Sequence, residues 1–245
     1  MTALSVFAPR RFARLMLSDA ISIRRDPMLI LVMVLSTLPA IGFLAGRDAM
    51  NALALRELGL ERFDRYVAPV ALLVPAFLVG WVTGFLILED RDEGPLLALD
   101  VTPVGKIGFL CYRVAVTVLV VAMLTGAATT VIVPDLEIAA RGAVTMLVAG
   151  AAVLAAIVLP ALARNKVEGL ALTKLTNIAS VVPLLAIIPS PWRHLGGIIP
   201  TYWLGELLEL SRAQYLSVPG VLVGAVVSHV LWAARLLVIL RRRVG

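Results

Sequence analysis

Charge is scarce in this chain: Asp, Glu, Lys and Arg make up 16% of its 245 residues, while apolar residues make up 60%. A soluble domain carries about a quarter charged residues and nearer half apolar ones, so an ordinary water-soluble domain is excluded. Cysteine occurs once, as Cys111, which rules out an intramolecular disulfide, and only two histidines, His194 and His229, are present. No Cys/His cluster offers a metal site. Cys111 lies at the start of an apolar block and reads as a small apolar residue rather than a reactive thiol. Aromatics are 6% of the chain, and the basic residues do not interleave with them as on a nucleic-acid surface. The net charge of +6 comes instead from Lys and Arg at the ends of apolar blocks, the pattern of topology determinants. Nucleic acid is not an expected partner.

The signatures of common chemistry are missing too. There is no Gly-x-Ser-x-Gly elbow and no His-Glu-x-x-His. Gly105-Lys106 has the dipeptide of a phosphate loop, but Asp100 stands at the first glycine position and no Ser or Thr follows. The chain is not expected to bind or hydrolyse ATP itself, to hold a metal or cofactor, or to be an enzyme.

Long apolar runs are what it has. A hydrocarbon core about 30 Å thick takes roughly 20 helical residues, and six blocks qualify: 28–46, 66–88, 107–133, 143–163, 175–189 and 218–240. Backbone without partners is costly in lipid, so blocks of this length cross as helices. The expected fold is an all-α polytopic membrane protein, one domain over 1–245 with six transmembrane helices. The fifth block is the weakest, being short and carrying Pro183 and Pro189. Residues 4–26 interleave arginines from Arg10 to Arg25 with Phe7, Phe12, Leu15, Met16 and Ile23, which suits a helix lying at the interface. Residues 47–65 hold four basic and four acidic side chains and predict a short helix against the outer leaflet. Residues 190–217 contain Gly196-Gly197, Pro200, Tyr202 and Trp203 and predict an outer re-entrant region before the last span, with its aromatics at the interface.

Six spans put both termini on one side. If that side is the cytoplasm, fifteen of the 22 Lys and Arg face it, while the acids split eight and eight. The positive-inside rule thus orients the chain with both termini cytoplasmic. Residues 89–106 then lie in the cytoplasm as well. This loop holds five carboxylates within twelve residues, Glu89 to Asp100, more than a bare connection between helices needs. It reads as a docking surface.

Within the spans, Gly80 and Gly84 are four apart, and the fourth block runs Val148-Ala-Gly-Ala-Ala-Val-Leu-Ala-Ala156. Small residues let membrane helices approach closely, so both stretches predict close helix packing, within one bundle rather than at a dimer seam for the fourth block. His229 falls in the middle of the sixth block, where an ionisable residue is a functional candidate. No block supplies a carboxylate to pair with it, which favours packing or an interhelical hydrogen bond over a proton relay.

The run Glu89-Asp90-Arg91-Asp92-Glu93-Gly94-Pro95-Leu96-Leu97-Ala98-Leu99-Asp100-Val101-Thr102-Pro103 resembles the stretch after the second span in permeases of the type-2 ATP-binding-cassette exporter superfamily. Glu93, Gly94, Leu96, Leu99, Thr102 and Pro103 match that family's pattern, while Pro95 stands where Thr is usual. The second cytoplasmic loop, with Asn165, Lys166, Glu168 and Gly169, looks like that of a subgroup labelled drug or fluoroquinolone exporters. The resemblance implies that 89–106 is a coupling loop, with Glu89 and Asp92 beside the matching residues. It would dock on a separate ATPase subunit that holds ATP and Mg. The resemblance also implies a second permease, the same or related, and export across a bacterial cytoplasmic membrane. Thr83, Thr173, Thr176 and Asn177 lie on or near spans two and five and are candidates to meet a hydrophobic or amphipathic substrate. Two other readings stand beside this one: a proton-coupled secondary transporter relaying through His229 and Arg235, and a non-transporting membrane scaffold.

Overall fold

Helix α1 opens at Pro27, where a missing backbone N–H costs nothing, and runs through Pro39 to Leu58. In the computed structural model, residues 27–92, 105–208 and 216–244 are described. The expected interfacial helix at 4–26 and the loop residues from Glu93 to Pro103 lie outside them. Five further helices follow α1: α2 Phe63–Asp92, α3 Gly105–Ile132, α4 Ile138–Leu162, α5 Lys166–Thr176 and, near the end, α6 Tyr202–Leu207. Three 3₁₀ segments, Asn177–Ser180, Val182–Ile187 and Pro191–Ile198, join α5 to α6. Helix α7, Val218–Val244, ends the described chain. Among the described residues, six segments are long and apolar enough to cross a membrane: Leu29–Leu58, Phe63–Asp92, Gly105–Ile132, Ile138–Leu162, Lys166–Ile187 and Val218–Arg242. The chain is an all-α, six-span membrane protein.

Helices α2 and α4 form the centre, with Leu72, Leu73 and Ala76 from one and Val148, Ala152 and Ala155 from the other in a shared core. Their seam is made by small residues. A Cβ on Gly80 would lie 2.7 Å from Ala155 Cβ and 2.8 Å from the Ala152 carbonyl oxygen, and one on Gly84 would lie 3.0 Å from Ala156 O. The two glycines and the alanine run therefore meet each other inside one bundle. Pro69 and Pro75 sit inside α2 without ending it.

Two boundaries differ from expectation. Residues 47–65 are not a separate interfacial helix: α1 continues to Leu58 and α2 begins at Phe63. No breaker occurs between Arg47 and Gly59, which takes φ 68° while the Gly59 amide bonds back to Leu55 O, as in a left-handed helix stop. The charges there pair inside the hairpin, with Arg47 Nε 3.5 Å from Asp64 Oδ2. Arg47 also donates to the Val131 and Ile132 carbonyls at 2.6 and 2.8 Å, covering the C-terminal end of α3.

The second difference is at the fifth span. Its α-helix is Lys166–Thr176, occupying most of what reads as a loop, and 3₁₀ turns replace α-helix from Asn177 onward. Asn165 explains the early start, its side chain accepting the Glu168 amide at 2.9 Å as an N-cap. Pro183, without an amide hydrogen, stands at the start of the second 3₁₀ segment.

Candidate functional site

At the end of the bundle that charge counting assigns to the cytoplasm, α2 does not stop at Leu88 but carries Glu89 to Asp92 as a further turn. That turn is bolted to the α4–α5 connection. Arg91 donates to the carbonyls of Pro160 and Ala163, each at 3.2 Å, and of Arg164 at 2.9 Å. These carbonyls lie at and just past the C-terminus of α4, where a cation is favoured. Beside it, Lys166 Nζ lies 2.8 Å from Glu89 Oε1, and Arg113 of α3 lies 3.3 Å from Asp90 Oδ2. Asp92 pairs with its neighbour Arg91 at 3.2 Å. Glu168 reaches back to the Arg164 amide at 2.7 Å. Gly169 leaves room for α2, since a Cβ there would meet Leu88 and Phe85 at 3.0 and 3.1 Å. The two stretches singled out in the sequence, Glu89 with Asp92 and Asn165 with Lys166, Glu168 and Gly169, thus come together at one junction.

Beyond α5, the stretch 177–208 (the fold-back) packs against α2, α4 and α7. Breaking a helix at membrane depth frees carbonyls, and these must find donors inside the protein. Side chains supply them. Thr201 Oγ1 donates to Ala179 O at 2.6 Å, Trp203 Nε1 to Gly197 O at 3.1 Å, and Trp232 Nε1 of α7 to Ile198 O at 2.8 Å. Arg193 Nη1 donates to Ile188 O at 3.1 Å. Tyr202 and Trp203, expected at an interface, are instead buried in the core. Glycine makes the space: a Cβ on Gly224 of α7 would lie 2.4 Å from the Trp203 ring, and one on Gly205 would lie 2.1 Å from Pro183 O.

The fold-back also holds a polar cluster that sequence reading missed. Arg193 and Glu206 have side chains 1% and 7% exposed and meet at two points, Nε to Oε1 at 2.8 Å and Nη2 to Oε2 at 3.1 Å. The Tyr202 hydroxyl donates to Glu206 and lies 3.0 Å from His194 Nδ1. Nothing in the linear order pairs residues 193 and 206, because the 3₁₀ turn between them sets which side chains face. Two-point charge pairing of this kind offsets more of the desolvation cost of burial than a single contact.

Between α2, α4, the fifth segment, the fold-back and α7 lies a cavity of about 310 Å³. Phe77, Ala151, Leu154, Val158, Thr176 and Trp232 are among its lining residues. Of the polar residues proposed for a substrate path, Thr176 lines it and the others do not. Thr83 is buried with its hydroxyl 2.7 Å from that of Thr117, Thr173 donates to Leu170 O at 2.8 Å, and Asn177 is exposed. His229 fills the space beside Gly150, where a Cβ would come within 2.9 Å of the ring, and its Nδ1 lies 2.8 Å from Ala225 O. Neither α4 nor α7 carries a carboxylate for it, and Arg235 is exposed.

A model of the family described as "Fluoroquinolones export permease protein Rv2686c-like" matches residues 19–237. Two curated proteins are similar to the chain, the fluoroquinolones export permease proteins MT2760 and Rv2686c of two Mycobacterium tuberculosis strains, CDC 1551 / Oshkosh and H37Rv. Each is 30% identical over 233 residues, covering 91% of either chain. No solved structure matches.

Proposed function

Since the chain belongs to the Rv2686c-like fluoroquinolones export permease family, we propose that it is the membrane-spanning subunit of an ATP-driven exporter of a hydrophobic or amphipathic small molecule. ATP and Mg are held by a separate ATPase subunit that hydrolyses the ATP; this sequence has no phosphate loop of its own. Two permease chains, identical or related, complete the transporter, with both termini in the cytoplasm of a bacterium. Fluoroquinolones, named for the relatives, are the first compounds to try.

The observation that carries this reading is the junction of the two cytoplasmic stretches. Residues 93–104 continue directly from the turn of α2 that Arg91 and Glu89 hold to the α4–α5 connection. A partner pulling on that loop therefore moves α5 through hydrogen bonds and an ion pair, without relying on side chains in lipid. Glu89, Asp92, Glu93, Gly94, Leu96, Leu99, Thr102 and Pro103 form the docking element. Its leucines offer an apolar face, and its acids meet basic groups on the partner.

Co-purification with the ATPase tests this. The double variant Glu93→Arg, Gly94→Leu is expected to elute as a folded protein in detergent, to lose the ATPase from the complex, and to abolish transport. Normal association and transport by that variant would defeat the docking assignment.

A further inference from the structure

The cavity deepens the export reading, on which its identification as a substrate seat rests. Phe77, Ala151 and Trp232 each stand about halfway along α2, α4 and α7, so the cavity sits near mid-height of the bundle. Its size falls at the lower end of ligand pockets. Its lining contains no Asp, Glu, Lys, Arg or His. Three lining side chains carry a nitrogen or oxygen, namely Thr176, Thr201 and Trp232, and the proton of each is already engaged. Thr176 donates to the Leu172 and Thr173 carbonyls, Thr201 to Ala179 O and Trp232 to Ile198 O. Thr176 back-bonds within its own helix, while Thr201 and Trp232 hold the carbonyls of Ala179 and Ile198, and diverting any of these donors to a ligand would break an existing hydrogen bond. The cavity thus has no charged side chain and no idle side-chain donor to offer.

Leu175, Ile178 and Trp232 line the cavity and are also 65%, 61% and 40% exposed. The opening is sideways, between the end of α5 and α7, across an apolar rim. Water is not what meets such a rim at mid-membrane depth.

We propose that this cavity binds a small, uncharged, mainly apolar molecule that enters laterally from the hydrocarbon layer between α5 and α7. For an ionisable substrate, the uncharged form is the one seated. A permanent charge would leave water with nothing here to replace its solvation.

Photolabelling of the full chain in membranes tests this without ATP or a partner. Two probes share one aryl diazirine, one uncharged and one bearing a trimethylammonium group. The uncharged probe is expected to label peptides containing Leu175–Ala179 and Trp232–Leu236 saturably. An excess of the same aryl compound without the diazirine should compete it away, and the cationic probe should label there at least about tenfold less. Leu154→Trp, which fills the cavity from a half-buried position, is expected to remove that labelling and leave the labelling of exposed Leu31 and Leu38 on α1 unchanged. Labelling that rises linearly without saturating, equal labelling by the cationic probe, or phospholipid retained in the cavity through delipidation would each overturn the proposal. The wild-type saturation and charge comparison stand even if Leu154→Trp does not fold. Saturable labelling with no transport in the reconstituted complex would instead count against the export reading alone.

Discussion

Three arginines perform two separate structural tasks in this molecule, each set by its neighbours rather than by its charge alone. Arg47 and Arg91 cover the carbonyl ends of α3 and α4 at opposite ends of the bundle, where the forked guanidinium matches several acceptors and lysine does not. Arg193 is buried against Glu206, and breaking such a pair by removing one partner costs about 3–5 kcal/mol. The same cluster makes a pH prediction. Burial, followed by the hydrogen bond to Glu206 and its charge, pushes the Tyr202 hydroxyl well above its ordinary value of 10.0, and Arg193 pulls it back less. The folded protein therefore holds this proton more tightly than the unfolded chain. The stability linked to it is intact below pH 10.0 and is lost as pH rises from there towards the folded value. Thermal unfolding in detergent at pH 8 to 11 should show a steep fall in Tm above pH 10. Tyr202→Phe should start lower, by about 1 kcal/mol for the lost hydrogen bond, and fall less steeply. Parallel curves for the two proteins would remove Tyr202 from the explanation.

Among the elements, α5 is the one whose position matters most for the proposed coupling. It begins at the junction held by Arg91 and Lys166 and ends at Leu175 and Thr176 on the cavity wall. A helix of 11 residues is about 16 Å long, so a shift imposed at its start arrives at the cavity with little bending. Arg91→Ala removes the hold on three carbonyls but touches neither the docking residues beyond Asp92 nor the cavity. The ATPase is expected to co-purify as before, while substrate-stimulated hydrolysis by the reconstituted complex falls about tenfold, equivalent to about 1.4 kcal/mol of lost coupling. Arg91→Lys should fall between, since a single ammonium does not reproduce the fork. Unchanged stimulation in Arg91→Ala would show that the clamp transmits nothing.

For the molecule as a whole, the orientation is a charge argument with a direct test. In a Cys111→Ser background, a single cysteine at Asp135, in the turn between α3 and α4, should react with a membrane-impermeant maleimide in intact cells. One at Arg164, in the α4–α5 connection, should react only after the membrane is opened. The reverse pattern would invert the topology and take the docking loop out of the cytoplasm.

The spans, the close approach of small residues in α2 and α4, and the charged residues Glu89 and Lys166 were legible from local information, because they rest on length, residue size and charge along the chain. Gly80 and Gly84 announce a close approach wherever their partner is. The break in the fifth span was only hinted at by Pro183 and Pro189, and the helix start at Lys166 depended on reading Asn165 as a cap. The cavity and the Arg193–Glu206 pair were not legible. They exist because the carbonyls of Ala179 and Ile198 are met by side chains distant in sequence, Thr201 and Trp232, and because Arg193 and Glu206 are brought face to face. The sequence by itself determined a six-span bundle with an acidic stretch after its second span, since transfer of apolar length and charge into lipid is nearly additive along a chain. Only the tertiary structure decided what fills the bundle and what the cavity can accept, because hydrogen-bond satisfaction in a low-dielectric interior depends on which groups face each other.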